Sequence, residues 1–509
     1  MKTSSSSWSR RAKQKSAIWL LGLSLAFLKG EAIMAENLPD LVLSAADIAT
    51  SDITLSKAIP VEKEEVSLRA RVRNIGEGKA ENVSVHFSVH KKGGENVPAG
   101  KELISSIPGK GEAETQIKYS FLQNGLYFIT VEVDPENKIK ESDKTNNKAS
   151  YEVPVVVNKI YLFEYGIKNL RYVNIVRGGG KDEERRYWEN RGAIYCQWTG
   201  CKPKEKSEEE LVEYWASSLK KGYNAIRIDE IGFYERAFDD EEGPESVMLK
   251  ALRALKMLKK QYPELFVAVH TCGSLNPPEA NAYRIGADLV LCEAYLNYFQ
   301  GRPGGFESHQ AYRYYDHRIE VARRMDILKK TIMQISLDER FLPITKEDVE
   351  ESIRYIRRKA PEMPGIAFFG KCPDLLYEAA DQLCFKYFIL PVITLWEEDI
   401  TFSNYHPRAG EDVDIFVTIH NIGGMDAKDV TVNLYDKNPI FGNETKIIAA
   451  NKIASLPAQK TKEGLFGRTT LKINWRPKQG LHCICVEVVP CNEFTVLDGL
   501  AARNISVMP

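Results

Sequence analysis

The stretch Asn224-Ala-Ile-Arg-Ile-Asp-Glu-Ile-Gly232 alternates apolar and polar side chains and then presents two adjacent carboxylates. Successive side chains of a strand point to opposite faces. Ile226 and Ile228 therefore share one face, and Ala225, Arg227 and Asp229 the other. A helical segment follows at 245–261, and then Phe266-Val-Ala-Val-His270, in which Val267 and Val269 oppose Ala268 and His270. Apolar strands that alternate with amphipathic helices belong to a parallel α/β sheet.

The same grammar fills residues 158–397. It predicts strands at 160–165, 193–198, 224–231, 266–271, 289–295, 332–338 and 366–370, and helices at 208–221, 245–261, 308–330, 346–359 and 373–388. This length and strand number fit a TIM-type barrel. The eighth strand is expected at 169–176 or at 389–395. Arg177-Gly-Gly-Gly180 reads as a loop, because no GxGxxG follows a strand; a doubly wound nucleotide-binding sheet is the lesser alternative.

Parity then selects candidate site residues. Barrel chemistry gathers at the C-terminal ends of strands. On 332–338, Met333, Ile335 and Leu337 face the helices, and Gln334, Ser336 and Asp338 face inward. Arg227, Asp229 and His270 also face inward, and Gln197 shares a face with Tyr195. Several strands thus send polar groups inward near their ends, which is costly unless those groups are paired or line a working cavity. An internal ion-pair cluster such as Arg227 with Asp229 is the purely structural alternative. Glu293 shares parity with Leu289 and Leu291, so a bulge or the strand's end is expected to turn it inward. Glu164, Glu230 and Glu339 also stand at strand ends, with Trp198, Phe233, Tyr234, Tyr295, Tyr298 and Phe299 nearby.

Carboxylates beside aromatic rings suit sugars, and glycosidic hydrolysis needs two carboxyl groups with separated pKa values. Asp229, next to Arg227, is expected to stay ionised as nucleophile or base. Glu293, among apolar neighbours, is expected to act as the acid, with Glu230 in reserve. His270, Gln334, Asp338, Arg227 and Glu164 are expected to bind substrate, and Trp198 and Tyr295 to stack on it. Through Ile228-Asp-Glu230 and Cys292-Glu-Ala-Tyr295 the block resembles the glycoside-hydrolase type of TIM barrel at the level of class, with no single family's motif matched.

The flanks are all-β. Val66, Leu68, Ala70 and Val72 alternate with polar residues up to Asn74-Ile-Gly76, and Val83, Val85, Phe87 and Val89 alternate again. The pattern recurs where residues 410–423 end on Asn421-Ile-Gly423 and Asp429-Val-Thr-Val-Asn-Leu434 follows. One module therefore occurs twice. With the segment Val133-Asp134-Pro135-Glu136-Asn137 through Glu141, Asp143 and Asn146-Asn147, these modules resemble the CARDB family, the cell-adhesion-related domain of bacteria. The resemblance implies Ig-like sandwiches used as spacers or adhesive modules, with Asp134, Glu141 and Asp143 bracing turns rather than holding calcium. Val489-Pro-Cys-Asn492 replaces the acidic segment in the second copy, so its last strands are expected to differ.

The expected organisation is multidomain: a signal peptide at 1–35, a sandwich at 38–157, a TIM-type barrel at 158–397 and a second sandwich at 398–509. The signal reading rests on Arg10, Arg11, Lys13 and Lys15 before an apolar run at 17–28. That run is shorter than the ~20 residues that span a bilayer. The balance of 69 basic and 70 acidic residues leaves a net charge of −1 and no field to hold nucleic acid. Nine cysteines form no paired CxxC set, and most read as buried thiols. No HxH or HExxH occurs, so no metal or cofactor is expected. The reading is a secreted hydrolase acting on a poly- or oligosaccharide, with cell-surface contact through its modules and nothing to fix an oligomeric state. The alternatives are a non-catalytic glycan-binding or adhesion protein, and a metal-dependent hydrolase using His270 with Asp229, Glu293 and Asp338.

Overall fold

The computed structural model describes residues 37–45, 50–164, 170–202, 205–229, 231, 243–271, 275–295, 308–338, 343–436, 446–458 and 467–509. The expected signal segment, Glu230, Phe233, Tyr234, Cys272, Tyr298, Phe299, Glu339 and the side chain of Glu164 lie outside the described residues. Among the described residues no helix is long and apolar enough to cross a membrane.

Eight parallel strands close a barrel: β1 (Tyr161–Glu164), β2 (Ile175–Gly178), β3 (Ile194–Gly200), β4 (Ala225–Asp229), β5 (Phe266–Thr271), β6 (Leu289–Glu293), β7 (Thr331–Ser336) and β8 (Gly365–Phe369), which pairs back with β1. The missing strand is β2, at the end of the first expected window. The other candidate, 389–395, is not a barrel strand. Val392–Thr394 pairs instead with Val413–Asn421 and with Thr495–Asp498, in the sheet of the C-terminal module.

Capping explains where several helices begin. Ser207 with Glu210, Asn276 with Glu279 and Thr345 with Asp348 each form a reciprocal capping box, satisfying N-terminal amides of the helices that follow β3, β5 and β7. The predicted helix at 346–359 is found as Lys346–Lys359. Helices Asp182–Asn190 and Pro277–Gly286 were not anticipated. The helix-facing residues Ile226, Ile228, Val267, Val269, Met333, Ile335 and Leu337 join one large buried core. Inside the barrel a separate apolar floor contains Phe163, Ile175, Cys196, Ala225, Ala268, Leu289, Leu291, Ile332 and Ala367.

The flanking modules share one plan. Each has a sheet of four strands in the same order, Val97–Ile107, Ala80–Lys91, Gly125–Val133, Lys148–Val155 in the first and Lys446–Leu456, Ala427–Asp436, Gly480–Val488, Leu500–Val507 in the second. A second sheet, built on Glu65–Asn74 or Val413–Asn421, lines the same hydrophobic core. Even the irregularities correspond: register shifts fall at Phe87/Ser88 and Leu434/Tyr435, and Asn82 and Asp429 have φ of 53° and 55°. Asn74 and Asn421 occupy equivalent turns. The Asn74 amide donates to the carbonyls of Gly78, Ile107 and Pro108, and its Oδ1 accepts from the amides of Asp40 and Gly76. Asn421 donates to Met425 and Leu456 and accepts from Val392 and Gly423. A Cβ on Gly76 or Gly423 would meet the passing backbone at 2.4 or 2.1 Å, so only glycine fits either turn.

The modules differ where the sequence differs. In the first, Asp134 accepts from the amides of Lys138 and Ile139, Glu141 from the Leu41 amide and Asn147, and Asp143 from Thr145, so these acids brace turns. In the second, Thr495–Asp498 adds a strand parallel to Val392–Thr394 instead.

Candidate active site

The apolar floor fixes the height of everything polar in the barrel. Ala225, Ala268 and Ala367 are small, and this leaves room above them for the Arg227 side chain, which is only 1% exposed with its guanidinium 6.0 Å from the Phe163 ring. Two residues further along β4, Asp229 reaches the C-terminal end of the barrel. Arg227 Nη2 donates to Asp229 Oδ1 at 2.6 Å, His270 Nδ1 lies 2.9 Å from the same oxygen, and the Trp198 indole N–H donates to Oδ2 at 2.8 Å. Burial pushes the Asp229 carboxyl up. The His270 hydrogen bond, the charges of Arg227 and His270 and the Trp198 bond outweigh it and hold the group far below the usual carboxylate range.

His270 is 3% exposed. Because Asp229 Oδ1 is an acceptor, Nδ1 carries the proton. The other nitrogen, Nε2, lies 3.4 Å from Glu293 Oε1 without hydrogen-bond geometry. One imidazole therefore stands between the two carboxylates.

Glu293 corrects the parity reading. Leu289 and Leu291 face the barrel interior, while Val290 and Cys292 face the helices. Glu293 therefore turns inward by simple alternation, with no bulge, and its near neighbour is His270 rather than an apolar pocket. On β3, Tyr195 and Gln197 share a face as expected, and the structure shows which face it is. Tyr195 packs against the helix layer, with its hydroxyl donating to Glu184 at 3.1 Å, and Cys196 faces the interior. The face assigned to Tyr195 and Gln197 is thus the outer one. Trp198 is on the inner parity, but it anchors Asp229 as well as offering a ring.

On the neighbouring strands Gln334 sits in register with Glu293 and accepts from the Tyr295 hydroxyl at 3.3 Å; its Nε2 is buried without a partner. Tyr295 stacks on Phe369 with centroids 5.0 Å apart. Asp338 is buried at the end of β7, its amide donating to Ser336 Oγ. Gly370 lies so close that a Cβ there would be 2.3 Å from the Asp338 Cβ. Glu164 ends β1 in register with Val176. Sequence reading passed over Arg177, whose guanidinium lies 5.5 Å from the Trp198 ring, and Phe369. Inward parity on β2 and β8 was the available signal for both.

The donor set does not gather around a cation. His270 gives its two nitrogens to different carboxylates, and among the described residues no three His, Cys, Asp or Glu side chains are placed to hold a metal ion. The eight described cysteines are unpaired, and burial pushes the Cys196 thiol inside the barrel up to about 12, so it is no nucleophile at neutral pH.

No curated protein matches the chain. Among solved structures, a β-glucuronidase from Bacteroides uniformis is 11% identical; the alignment covers 93% of this chain and 63% of that one, with a TM-score of 0.31. A CARDB domain from Pyrococcus furiosus, solved in complex with di-metal ions, is 21% identical over 23% of this chain and 90% of its own, with a TM-score of 0.19. A domain of a putative cell surface protein from Methanosarcina acetivorans is 22% identical over 24% and 95%, also at 0.19. These scores are too low to bear on the site. The family model of the CARDB domain matches residues 38–151, the segment whose Asn-Ile-Gly turn and acidic closing loop implied it.

Proposed function

We propose that the barrel is a carbohydrate-active hydrolase that cleaves a glycosidic bond with Asp229 and Glu293. The observation that carries this reading is an ionised carboxylate, fixed by three donors, facing a second carboxylate across His270 at the C-terminal end of the barrel. A carboxylate has about four acceptor sites. Arg227 and His270 take those of Asp229 Oδ1 and Trp198 takes one of Oδ2, which leaves Oδ2 one site for an anomeric carbon or an attacking water. Glu293 and His270 share the other half of the reaction. With the proton on Glu293 the pair presents a general acid to the leaving oxygen; with it on His270 Nε2 the pair is an ion pair. The intervening ring favours the wider carboxyl spacing of inverting enzymes, ~6.5–9.5 Å, over the ~5–5.5 Å of retaining ones. Trp198 and Tyr295 offer stacking faces, and Gln334 and Asp338 offer hydroxyl partners, with Glu164 at the end of β1.

In the same reading residues 38–157 and 392–509 are Ig-like CARDB modules that carry the barrel outside the cytoplasm once residues 1–35 are removed; the boundary expected at 397 moves to about 391 because Val392–Thr394 pairs within the module's sheet. The shared strand order and the paired Asn74 and Asn421 turns support treating the second module as a copy of the first. Hydrolysis is tested on a panel of polysaccharides and aryl glycosides with the wild type, Asp229→Asn and Glu293→Gln. Both variants should fold and lose turnover by about 10²–10⁴. Normal turnover by the double variant would refute the assignment. Glycan affinity in a wild type that turns over no glycoside would move the reading to a binding protein.

A further inference from the structure

At the opposite end of the barrel, where β1 begins, a cavity of about 280 Å³ lies between the barrel and the C-terminal module. Its wall includes three cations, Lys159, Lys329 and Arg357, against one carboxylate, Glu362, with the backbone of Gly423 and Gly424 along the module side. Glu362 is already paired with Arg323 at 3.2 Å. Lys159 lies over the Tyr161 and Phe266 rings at 5.2 and 5.9 Å. Among the described residues neither the Lys159 nor the Lys329 ammonium has a hydrogen bond or an ion pair. Arg357 is 2% exposed. Its Nη atoms donate only to carbonyls, of Pro361, Met363 and Ile422, and its buried Nε has no partner.

Burying a guanidinium with no carboxylate in contact is expensive, Glu362 acting on Arg357 only at a distance, and two solvent-exposed ammonium groups at the rim add to the local positive potential. A wall with this charge excess is complementary to an anion. We propose that this cavity binds a small organic or inorganic anion, one carrying carboxylate or phosphate groups, held by Lys159, Lys329 and Arg357. The volume is just below the roughly 300–1,000 Å³ of drug-sized ligand pockets, so the occupant is small. Apolar walls from Ile160, Met363 and Phe388 leave room for a short carbon body beside the charge. Because the wall combines the segment that leads into β1, the barrel and the Gly423-Gly424 turn, a bound anion would fasten the C-terminal module to the barrel. The Val157 amide already donates to the Gly424 carbonyl there at 2.9 Å.

The test is calorimetric titration of the purified chain with citrate and, separately, inorganic phosphate, against sodium chloride at matched ionic strength and glycerol as a neutral probe. Saturable binding of at least one anion is expected, with a matching rise in the thermal midpoint. Lys159→Gln and Lys329→Gln should each weaken it about tenfold, the cost of one charged hydrogen bond, while a control pair of exposed lysines, Lys101→Gln with Lys118→Gln, leaves it unchanged. Preference for citrate would assign an organic acid and preference for phosphate a phosphate group. Equal responses of the control and the two test variants would overturn the proposal, as would no saturable binding of either anion. Circular dichroism verifies that the variants are folded, and because neither lysine lies near Asp229 the outcome is independent of whether the barrel hydrolyses glycosides.

Discussion

The two ends of the barrel bury carboxylates with opposite results. At the C-terminal end Asp229 sits among a guanidinium, an imidazole and an indole N–H and is held far below the ordinary carboxylate range. Beside the chain that leads into β2, Asp381 accepts from the amides of Arg171 and Tyr172, feels the Arg171 charge less closely, and is pushed up by burial to about 6. Burial raises both groups. What separates them is a cation in direct contact, which two neutral amides do not replace. The first arrangement keeps its carboxylate charged, and the second fixes backbone at a seam, where Arg171 also reaches Glu152 of the N-terminal module at 3.3 Å.

If the contrast has this origin, the largest effects belong to the upper end. Asp229→Asn keeps the shape but loses the charge, and turnover should fall by about 10²–10⁴. Arg227→Met removes the cation and leaves the half-buried carboxylate without it. A cost of about 3–5 kcal/mol in unfolding free energy is expected. The Asp229 carboxyl should titrate at higher pH, so that the acid limb of kcat/KM moves upward. An unchanged acid limb in a folded Arg227→Met protein would show that Arg227 does not set the ionisation of Asp229.

The alternation on β4, β5 and β7 was legible because each strand sets β-branched or other apolar residues against polar ones, and only one parity buries the apolar set. On β3 alternation put Tyr195 and Gln197 on one face without telling which, because Tyr195 is amphipathic: its ring belongs to the helix layer while its hydroxyl finds Glu184. Glu293 misled for a different reason. Leu289 and Leu291 form part of the barrel floor, so an apolar residue was mistaken for an outward one. The four-residue strand β2 was obscured by the glycines that follow it. The contacts that define the site, from His270 to Asp229 and Glu293 and from Trp198 to Asp229, cross between strands. They depend on the stagger of the barrel, which alternation within one strand does not contain.

The modules extend the comparison to the lower end. Asn74 and Asn421 make the same turn, but the second rests on the barrel, where Arg357 donates to the Ile422 carbonyl. The four hydrogen bonds of Asn421, at about 1 kcal/mol each, suggest that Asn421→Ala costs about 3–4 kcal/mol. Asn74→Ala, which loses five such bonds, should cost at least as much locally. On heating, Asn421→Ala should lower the transition of the barrel itself, followed by near-ultraviolet circular dichroism, and Asn74→Ala should lower only that of the N-terminal module. Equal effects on the barrel would mean that the modules are coupled to it equally.

The smallest expected effect isolates Asp381. Its folded pKa, about 6, lies above the ordinary unfolded value of about 3.9. The folded state therefore holds the extra proton across that interval, and the group's favourable contribution is complete below about pH 4 and lost as pH rises through about 6. A shift of this size corresponds to about 2–3 kcal/mol. Asp381→Asn, which does not titrate, should remove that part of the pH dependence while still offering one carbonyl oxygen to the Arg171 and Tyr172 amides. The measurement is urea unfolding at a series of pH values from 4 to 7, comparing wild type with variant at each pH so that carboxylates common to both cancel. The wild type should lose ground to the variant as pH rises, and most of the change should fall between pH 4 and 6. A constant difference across the series would mean that the Asp381 carboxyl titrates alike in the folded and unfolded chain, and that two amides and a more distant guanidinium do offset burial at the lower end as fully as direct contact with Arg227 and His270 does at the upper.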